Sequence, residues 1–135
     1  MKKVFAYVCL INGIYDIILG LVFLIIPRFL LNFLGAPENI FTATSFQVIG
    51  VLLLSLGIGL VAAFRNLDGL LIIPFIKIIA HLAGGIMIYH AITSALSVMI
   101  IVFGVIDIIF ALLYILFFLL IKDYNFRAVF KTSRT

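Results

Sequence analysis

The protein has 135 residues, of which 67% are hydrophobic and only 10% are charged. Soluble domains carry roughly 25% charged residues, so the composition excludes an ordinary soluble domain and predicts an integral membrane protein forming one domain over residues 1–135. The formal net charge of +4 is unevenly placed along the chain, so it bears on membrane orientation, and no nucleic-acid partner is predicted.

The first apolar run covers about residues 4–27 and follows a basic start, as in a signal peptide. The run is longer than the apolar region of a signal peptide, has no A-x-A-like cleavage site and contains Asp16. We therefore interpret it as a retained first membrane span.

A connector with the sequence PRFLLNFLGAPEN follows the first span. Pro27 can begin a short helix and Gly35 can end it. We expect one face of this helix to lie at the membrane interface, formed by Phe29, Leu30, Phe33 and Leu34.

Three further apolar runs cover about residues 43–64, 70–90 and 95–121. Each reaches the ~20 residues that a spanning helix needs. Because lipid offers the backbone no hydrogen-bond partners, helices are the expected structure. The sequence therefore predicts an all-α fold, a four-helix up-down bundle with a basic tail at 122–135.

The basic residues predict the orientation. An even number of spans places both termini and the polar turn at 65–69 on one side of the membrane. Only Arg28 falls on the other side. By the positive-inside rule, both termini are predicted to be cytoplasmic and the protein to be a multi-pass protein of the cell membrane. The basic residues on the cytoplasmic side are Lys2, Lys3, Arg65, Lys122, Arg127, Lys131 and Arg134.

Polar residues inside the spans are the candidate site. Asn12 and Asp16 are spaced i,i+4, as are Lys77 and His81, so each pair shares one helix face. With ~1.5 Å rise per residue, Asp16, His81 and Asp107 lie about 18–22 Å from the cytoplasmic edge, and Asn12 and Lys77 about one turn nearer to it. Gln47 is expected to line the same cavity from above.

A charge at the bilayer centre costs roughly 2.5–3.5 kcal/mol, so these groups are expected to face inward and pair with one another. Lys77 can pair with Asp16 or Asp107. His81 can then hydrogen-bond to the other carboxylate, or one Asp can stay protonated. Two interpretations stay open: a network that only holds the helices together, and one that also binds a small ligand or moves protons. The echo of GIYDII at 13–18 in GVIDII at 104–109 is either a weak internal repeat or chance.

Three longer stretches resemble the DoxX-like small four-span membrane proteins of bacteria and archaea. They are NGIYDIILGLVFLIIPRFLLNFLGAP, FQVIGVLLLSLGIGL and GVIDIIFALLYILFF. The resemblance implies a four-helix membrane bundle, and some members are associated with respiratory or thiol-redox systems. The lone Cys9 provides no dithiol pair, so the resemblance carries no thiol-redox residues to this chain.

The sequence leaves three functions open. The first is a non-enzymatic accessory protein or binder of a small or lipidic ligand, acting alone, as a homo-oligomer or with a membrane partner subunit. The second is a proton-coupled transporter or channel subunit that acts as an oligomer, and the third a membrane enzyme on a lipid-like substrate. No cofactor is predicted, and no His or Cys cluster has metal-site spacing.

Overall fold

The computed structural model describes residues 1–35, 40–93 and 98–120, and within these ranges the protein is all-helical with no strand. The five helices are α1 (Lys2–Ile25), α2 (Pro27–Leu34), α3 (Ile40–Arg65), α4 (Ile72–Thr93) and α5 (Val98–Leu120). The predicted all-α class is therefore confirmed, while the basic tail at 122–135 lies outside the described residues.

Four helices are long and apolar enough to cross a membrane: Lys2–Ile25, Thr42–Arg65, Ile72–Thr93 and Val98–Leu120. Their outer surfaces carry large apolar side chains such as Ile18, Ile79 and Leu112, each about 60% exposed. Soluble monomers rarely expose such extensive apolar surfaces. The four predicted spans are thus confirmed as apolar helices of membrane-crossing length.

The break between α1 and α2 lies at Ile26, whose φ of −127° and ψ of 50° are not helical. Pro27 then starts α2, because a proline at the first helical position loses no needed N–H. Gly35 ends α2 in the left-handed conformation, with a φ of 68°, and its N–H donates to Asn32 O. A proline start and a glycine stop therefore shape this short helix, as predicted.

The two faces of α2 differ from the single apolar face that we predicted. Leu30, Leu31 and Leu34 are buried, whereas Phe29 and Phe33 are exposed and stack on each other. The four side chains expected on one face are therefore divided between two, because a helix advances about 100° per residue and Leu31 completes the buried stripe.

The long helices form two close pairs, α1 with α3 and α4 with α5. Gly13 meets Gly57 and Gly20 meets Gly50, so α1 and α3 run in opposite directions. Gly84 meets Gly104 in the same way between α4 and α5. Glycine permits this approach because it has no side chain to separate the backbones.

Contacts between the two pairs are fewer and lie at different levels. At the level of the N-terminus, Phe5, Cys9, Leu60, Tyr114 and Phe117 belong to one buried apolar cluster. We call this the aromatic cluster, because the Phe5 ring stacks on Phe117 and meets Tyr114 edge-on. It fills one end of the space between the pairs.

At the opposite end, α2 covers the space between the pairs. Leu30 and Leu34 of α2 pack in a second buried cluster with Ala91 of α4 and Ile100 of α5. The candidate site lies between this apolar cover and the aromatic cluster.

Candidate functional site

Lys77 and Asp16 form an ion pair across the interface between the two helix pairs. Lys77 Nζ lies 2.8 Å from Asp16 Oδ2, and the side chains are only 2% and 1% exposed. A buried charge with no counter-charge costs several kcal/mol, which this contact offsets. The pair therefore joins α4 to α1 at the middle of the fold.

His81 stands between two oxygen atoms. Its Nδ1 lies 3.0 Å from Asp107 Oδ1, and its Nε2 lies 3.0 Å from Asn12 Oδ1. A ring that carries both protons donates to both oxygens. In that state Asp16, Lys77, His81 and Asp107 make two neutral pairs. We refer to these four residues and Asn12 as the polar cluster.

Tyr114 also contacts the polar cluster, a contact that was not predicted from the sequence. Its hydroxyl donates to Asn12 Oδ1 over 2.6 Å, and its ring lies beside the His81 ring with centroids 6.0 Å apart. Tyr114 follows Asp107 by seven residues, two helical turns, so it lies on the same face of α5. The seven-residue spacing from Asp107 is the sequence feature from which this contact could have been predicted.

Glycines on the neighbouring helices make room for the two carboxylates. A Cβ atom placed on Gly57 would lie 3.0 Å from Asp16 Cβ and 2.8 Å from Gly13 O. A Cβ on Gly84 would lie 2.8 Å from Asp107 Cβ and 2.6 Å from Gly104 O. The same local sequence, Gly-x-x-Asp, therefore packs in the same way in both helix pairs.

Gln47 lies apart from the polar cluster. Its Nε2 donates to Leu24 O over 3.3 Å, at the end of α1. It lines a separate cavity of about 400 Å³ together with Pro27, Arg28 and Phe29. The expectation that Gln47 lines the same cavity as the polar cluster is not met, because Gln47 lies on another side of α3.

A cavity of about 600 Å³ adjoins the polar cluster. Small-molecule sites typically measure ~300–1,000 Å³. One end of the cavity is polar and is lined by Asp16, Lys77, His81, Asp107 and Tyr15. The remaining walls are mostly apolar and include Leu19, Phe23, Leu53, Leu56, Met87 and Phe103.

The cavity reaches the molecular surface between α3 and α4. The lining residues that are exposed all belong to these two helices: Ile49, Leu52, Ala83, Ile86 and His90. These helices also pack on each other less than the members of either pair. The opening therefore lies on the outer, apolar surface of α3 and α4, which faces lipid when these helices span a membrane. From His81 to His90 the cavity extends about 13 Å along α4.

Apart from Asp16 Oδ2, which is in the ion pair with Lys77, three buried polar atoms around the polar end have no hydrogen-bond partner among the described residues. They are Asp16 Oδ1, the Tyr15 hydroxyl and Asn12 Nδ2. An unpartnered buried polar group costs about 1–3 kcal/mol, so each is expected to have a purpose or an unseen partner. Asp16 and Tyr15 line the cavity.

Metal ligands are not clustered in the part of the chain that the structure describes, where no three His, Cys, Asp or Glu side chains come close enough to hold an ion. A scan against protein-family models and searches of the curated proteins and of the solved structures found no match.

Proposed function

We propose that this protein is an integral membrane protein that binds a lipid-like amphiphile between its two helix pairs. The observation that carries this proposal is the cavity of about 600 Å³ with apolar walls and one polar end. The polar head of the ligand would lie at the polar cluster, and its apolar tail would follow the walls toward α2. Entry of a fully polar solute would be unfavourable, because the apolar walls cannot replace its hydrogen bonds to water.

The opening between α3 and α4 supports entry from the membrane. Leu52 and Ile86, which line it, are 59% and 62% exposed and apolar. An amphiphile dissolved in the bilayer could pass between them without crossing water. A charged solute would have to shed its hydration shell against apolar side chains, which is costly.

The unpartnered atoms distinguish this proposal from a network that only holds helices together. A purely structural network gains most when all its members are satisfied. Here Asp16 Oδ1 and the Tyr15 hydroxyl, which belong to two residues that line the cavity, lack hydrogen-bond partners among the described residues. A bound head group would supply those partners.

For the topology, we propose an up-down four-helix bundle in the cell membrane with both termini in the cytoplasm. The basic residues at 2, 3 and 65 support this orientation under the positive-inside rule. In intact cells, an impermeant maleimide should then label His90→Cys but not Lys3→Cys in a Cys9→Ala background. Labelling of Lys3→Cys but not of His90→Cys would indicate the opposite orientation, with both termini outside the cell.

The resemblance to the DoxX-like proteins stays a prediction. It fits four apolar helices of spanning length. We propose that the protein works as an accessory or ligand-binding component, with a second copy or another membrane protein as its partner. Measuring the mass of the protein extracted in native-lipid particles would test this, because a second copy or another membrane protein adds its own mass.

The test of ligand binding compares two phenylalanine variants on α4. Ala83 lines the opening, whereas its neighbour Leu82 is 54% exposed and does not line the cavity. Ala83→Phe should block the opening, and Leu82→Phe is the matched control. Mass spectrometry of lipids that co-purify with the protein should show one amphiphile enriched with the wild type and Leu82→Phe, and depleted with Ala83→Phe.

Folding of each variant can be followed through Cys9, the only cysteine, which is fully buried. A thiol-reactive fluorophore reacts with Cys9 when the protein unfolds, so its reaction on heating reports stability. If folded Ala83→Phe carries the same lipids as the wild type, the cavity is not the binding site.

A proton-coupled transporter is the second candidate. The observation that favours it is the His81 ring, which contacts an oxygen at each nitrogen and could pass a proton between them. The aromatic cluster, however, fills the end of the bundle next to the N-terminus. Reconstituted vesicles that show no flux driven by a pH gradient would exclude this candidate.

A further inference from the structure

We infer that the head group recognised at the polar end is an uncharged hydroxyl, so that the ligand class is a lipid alcohol. This inference rests on the proposed function, because it specifies the chemistry of the molecule that fills the cavity. It is carried by the unpartnered polar atoms, by the charge balance of the polar cluster and by the position of that cluster at one end of the cavity, about 13 Å from His90 at the opening.

The unpartnered atoms at the cavity require both a donor and an acceptor from the ligand. Asp16 lines the cavity with a side chain that is only 1% exposed, and its Oδ1 atom can only accept a hydrogen bond while the carboxylate is ionised. The Tyr15 hydroxyl can donate one. A ligand hydroxyl donates to the first and accepts from the second.

The cluster's charges favour an uncharged head group. Lys77 with Asp16 makes one neutral pair, and His81 with Asp107 makes a second when the ring carries both protons. A carboxylate or phosphate head would meet Asp16 and Asp107, and an ammonium head would meet Lys77 and His81. Either ion would also lose its hydration in a largely apolar cavity, without a free counter-charge there.

Acceptor-only head groups fit less well. An ether, ester or ketone oxygen can accept from Tyr15 but offers no hydrogen to Asp16 Oδ1, which would stay unpartnered. Sites built to hydrogen-bond a hydroxyl reject analogues that lack it, because the buried polar group is then left unpaired. The donor on the ligand is therefore the discriminating feature.

The test uses four probes that share a dodecyl tail and differ in the head. They are dodecanol, methyl dodecyl ether, dodecanoate and dodecylamine. Each is added to the protein in lipid nanodiscs, and stability is measured by the Cys9 reaction on heating, with Ala83→Phe as the control for partition into the lipid. We expect dodecanol to bind about tenfold or more tightly than the ether, the value of one hydrogen bond to a charged group.

Two tyrosine-to-phenylalanine variants then separate ligand binding from folding. Tyr15→Phe removes a buried hydroxyl with no partner among the described residues, so the empty protein should be at least as stable as the wild type. The dodecanol shift should fall. Tyr114→Phe removes a hydroxyl that donates to Asn12 Oδ1, so it should lower the stability of the empty protein.

The outcomes separate the two proposals. If no probe stabilises the wild type more than Ala83→Phe, the proposed function fails and the inference with it. If the ether, acid or amine binds as tightly as dodecanol, the lipid-binding function stands and the hydroxyl inference is overturned. It is also overturned if Tyr15→Phe lowers the stability of the empty protein as Tyr114→Phe does, or leaves the dodecanol shift unchanged.

Discussion

Contacts within the helix pairs differ in kind from contacts between them. Within the pairs, glycines bring backbones together at three places: Gly13 with Gly57, Gly20 with Gly50, and Gly84 with Gly104. The His81–Asp107 contact and the hydrogen bond from Gln47 to Leu24 O are polar additions to this packing. Between the pairs, the contacts are a buried ion pair, hydrogen bonds to Asn12, and apolar clusters at the two ends. The cavity lies only in this second region.

This difference shows how a small bundle can combine closely packed helix pairs with a cavity between them. In lipid there is no hydrophobic drive for apolar helices to associate, so association depends on close packing and on polar contacts. Close packing uses the glycines and leaves no space. Polar contacts hold the pairs at mid-depth while the side chains around them remain far enough apart to enclose a cavity.

The largest expected effect comes from breaking the contact between the pairs. Asp16→Leu leaves the Lys77 ammonium buried without a counter-charge, and removing one partner of a buried pair costs about 3–5 kcal/mol. Heating with the Cys9-reactive fluorophore should show a large loss of stability. The double variant with Lys77→Met should recover most of it, because both charges are then absent.

If the double variant is as unstable as Asp16→Leu, the ion pair is not the dominant contact between the pairs. Lipid co-purification with a folded double variant should also decrease, since the polar end of the cavity loses two of its groups. This second readout separates stability from ligand binding.

An intermediate effect is expected at the contacts within a pair. Gly84→Ala would place a Cβ atom 2.6 Å from Gly104 O and 2.8 Å from Asp107 Cβ, so the backbones must separate. Overpacking of this kind costs about 1–3 kcal/mol. Its neighbour Gly85 is the matched control, because a Cβ there would meet only Ile108 at 4.0 Å.

Gly85→Ala should leave stability unchanged or raise it slightly, since alanine favours the helix by up to about 1 kcal/mol over glycine. The same thermal measurement applies to both variants. Equal effects of the two substitutions would contradict the role of Gly84 in holding α4 to α5.

The smallest effect is expected at the exposed ion pair between Lys2 and Asp68. Its Nζ–Oδ1 distance is 3.3 Å, and the side chains are 54% and 68% exposed. Exposed pairs contribute less than about 1 kcal/mol and are screened by salt. Asp68→Asn should therefore change stability little, and any change should vanish at high salt. A loss as large as that of Asp16→Leu would show that burial does not set the difference between the two pairs.

The sequence predicted the spans well because length and hydrophobicity are local properties. It also placed Asp16, His81 and Asp107 near one depth, since depth follows from residue number in a helix. The structure places these residues in one cluster together with Asn12 and Lys77, and pairs Lys77 with Asp16, one of the two partners that the sequence left open.

Direction around the helix axis was harder to predict, because it depends on which helices become neighbours. Gln47 has a suitable depth but lies on another side of α3, beside Leu24. Tyr114 was not among the residues predicted for the site, although its hydroxyl reaches Asn12. The choice of helix pairs and the cavity itself arise from packing between distant segments, which no single stretch of sequence records.

The two Gly-x-x-Asp stretches pack in the same way, but their aspartates have partners in different places. Asp107 contacts His81 on α4, the helix to which α5 is already joined, whereas Asp16 depends on Lys77 from the opposite pair. A motion that moved the two helix pairs apart would lengthen the Asp16–Lys77 contact and leave the Asp107–His81 contact unchanged. The Asp16–Lys77 ion pair is thus the polar contact most sensitive to separation of the two helix pairs, and under the proposed function a ligand bound at the second oxygen of Asp16 would also change how easily they separate.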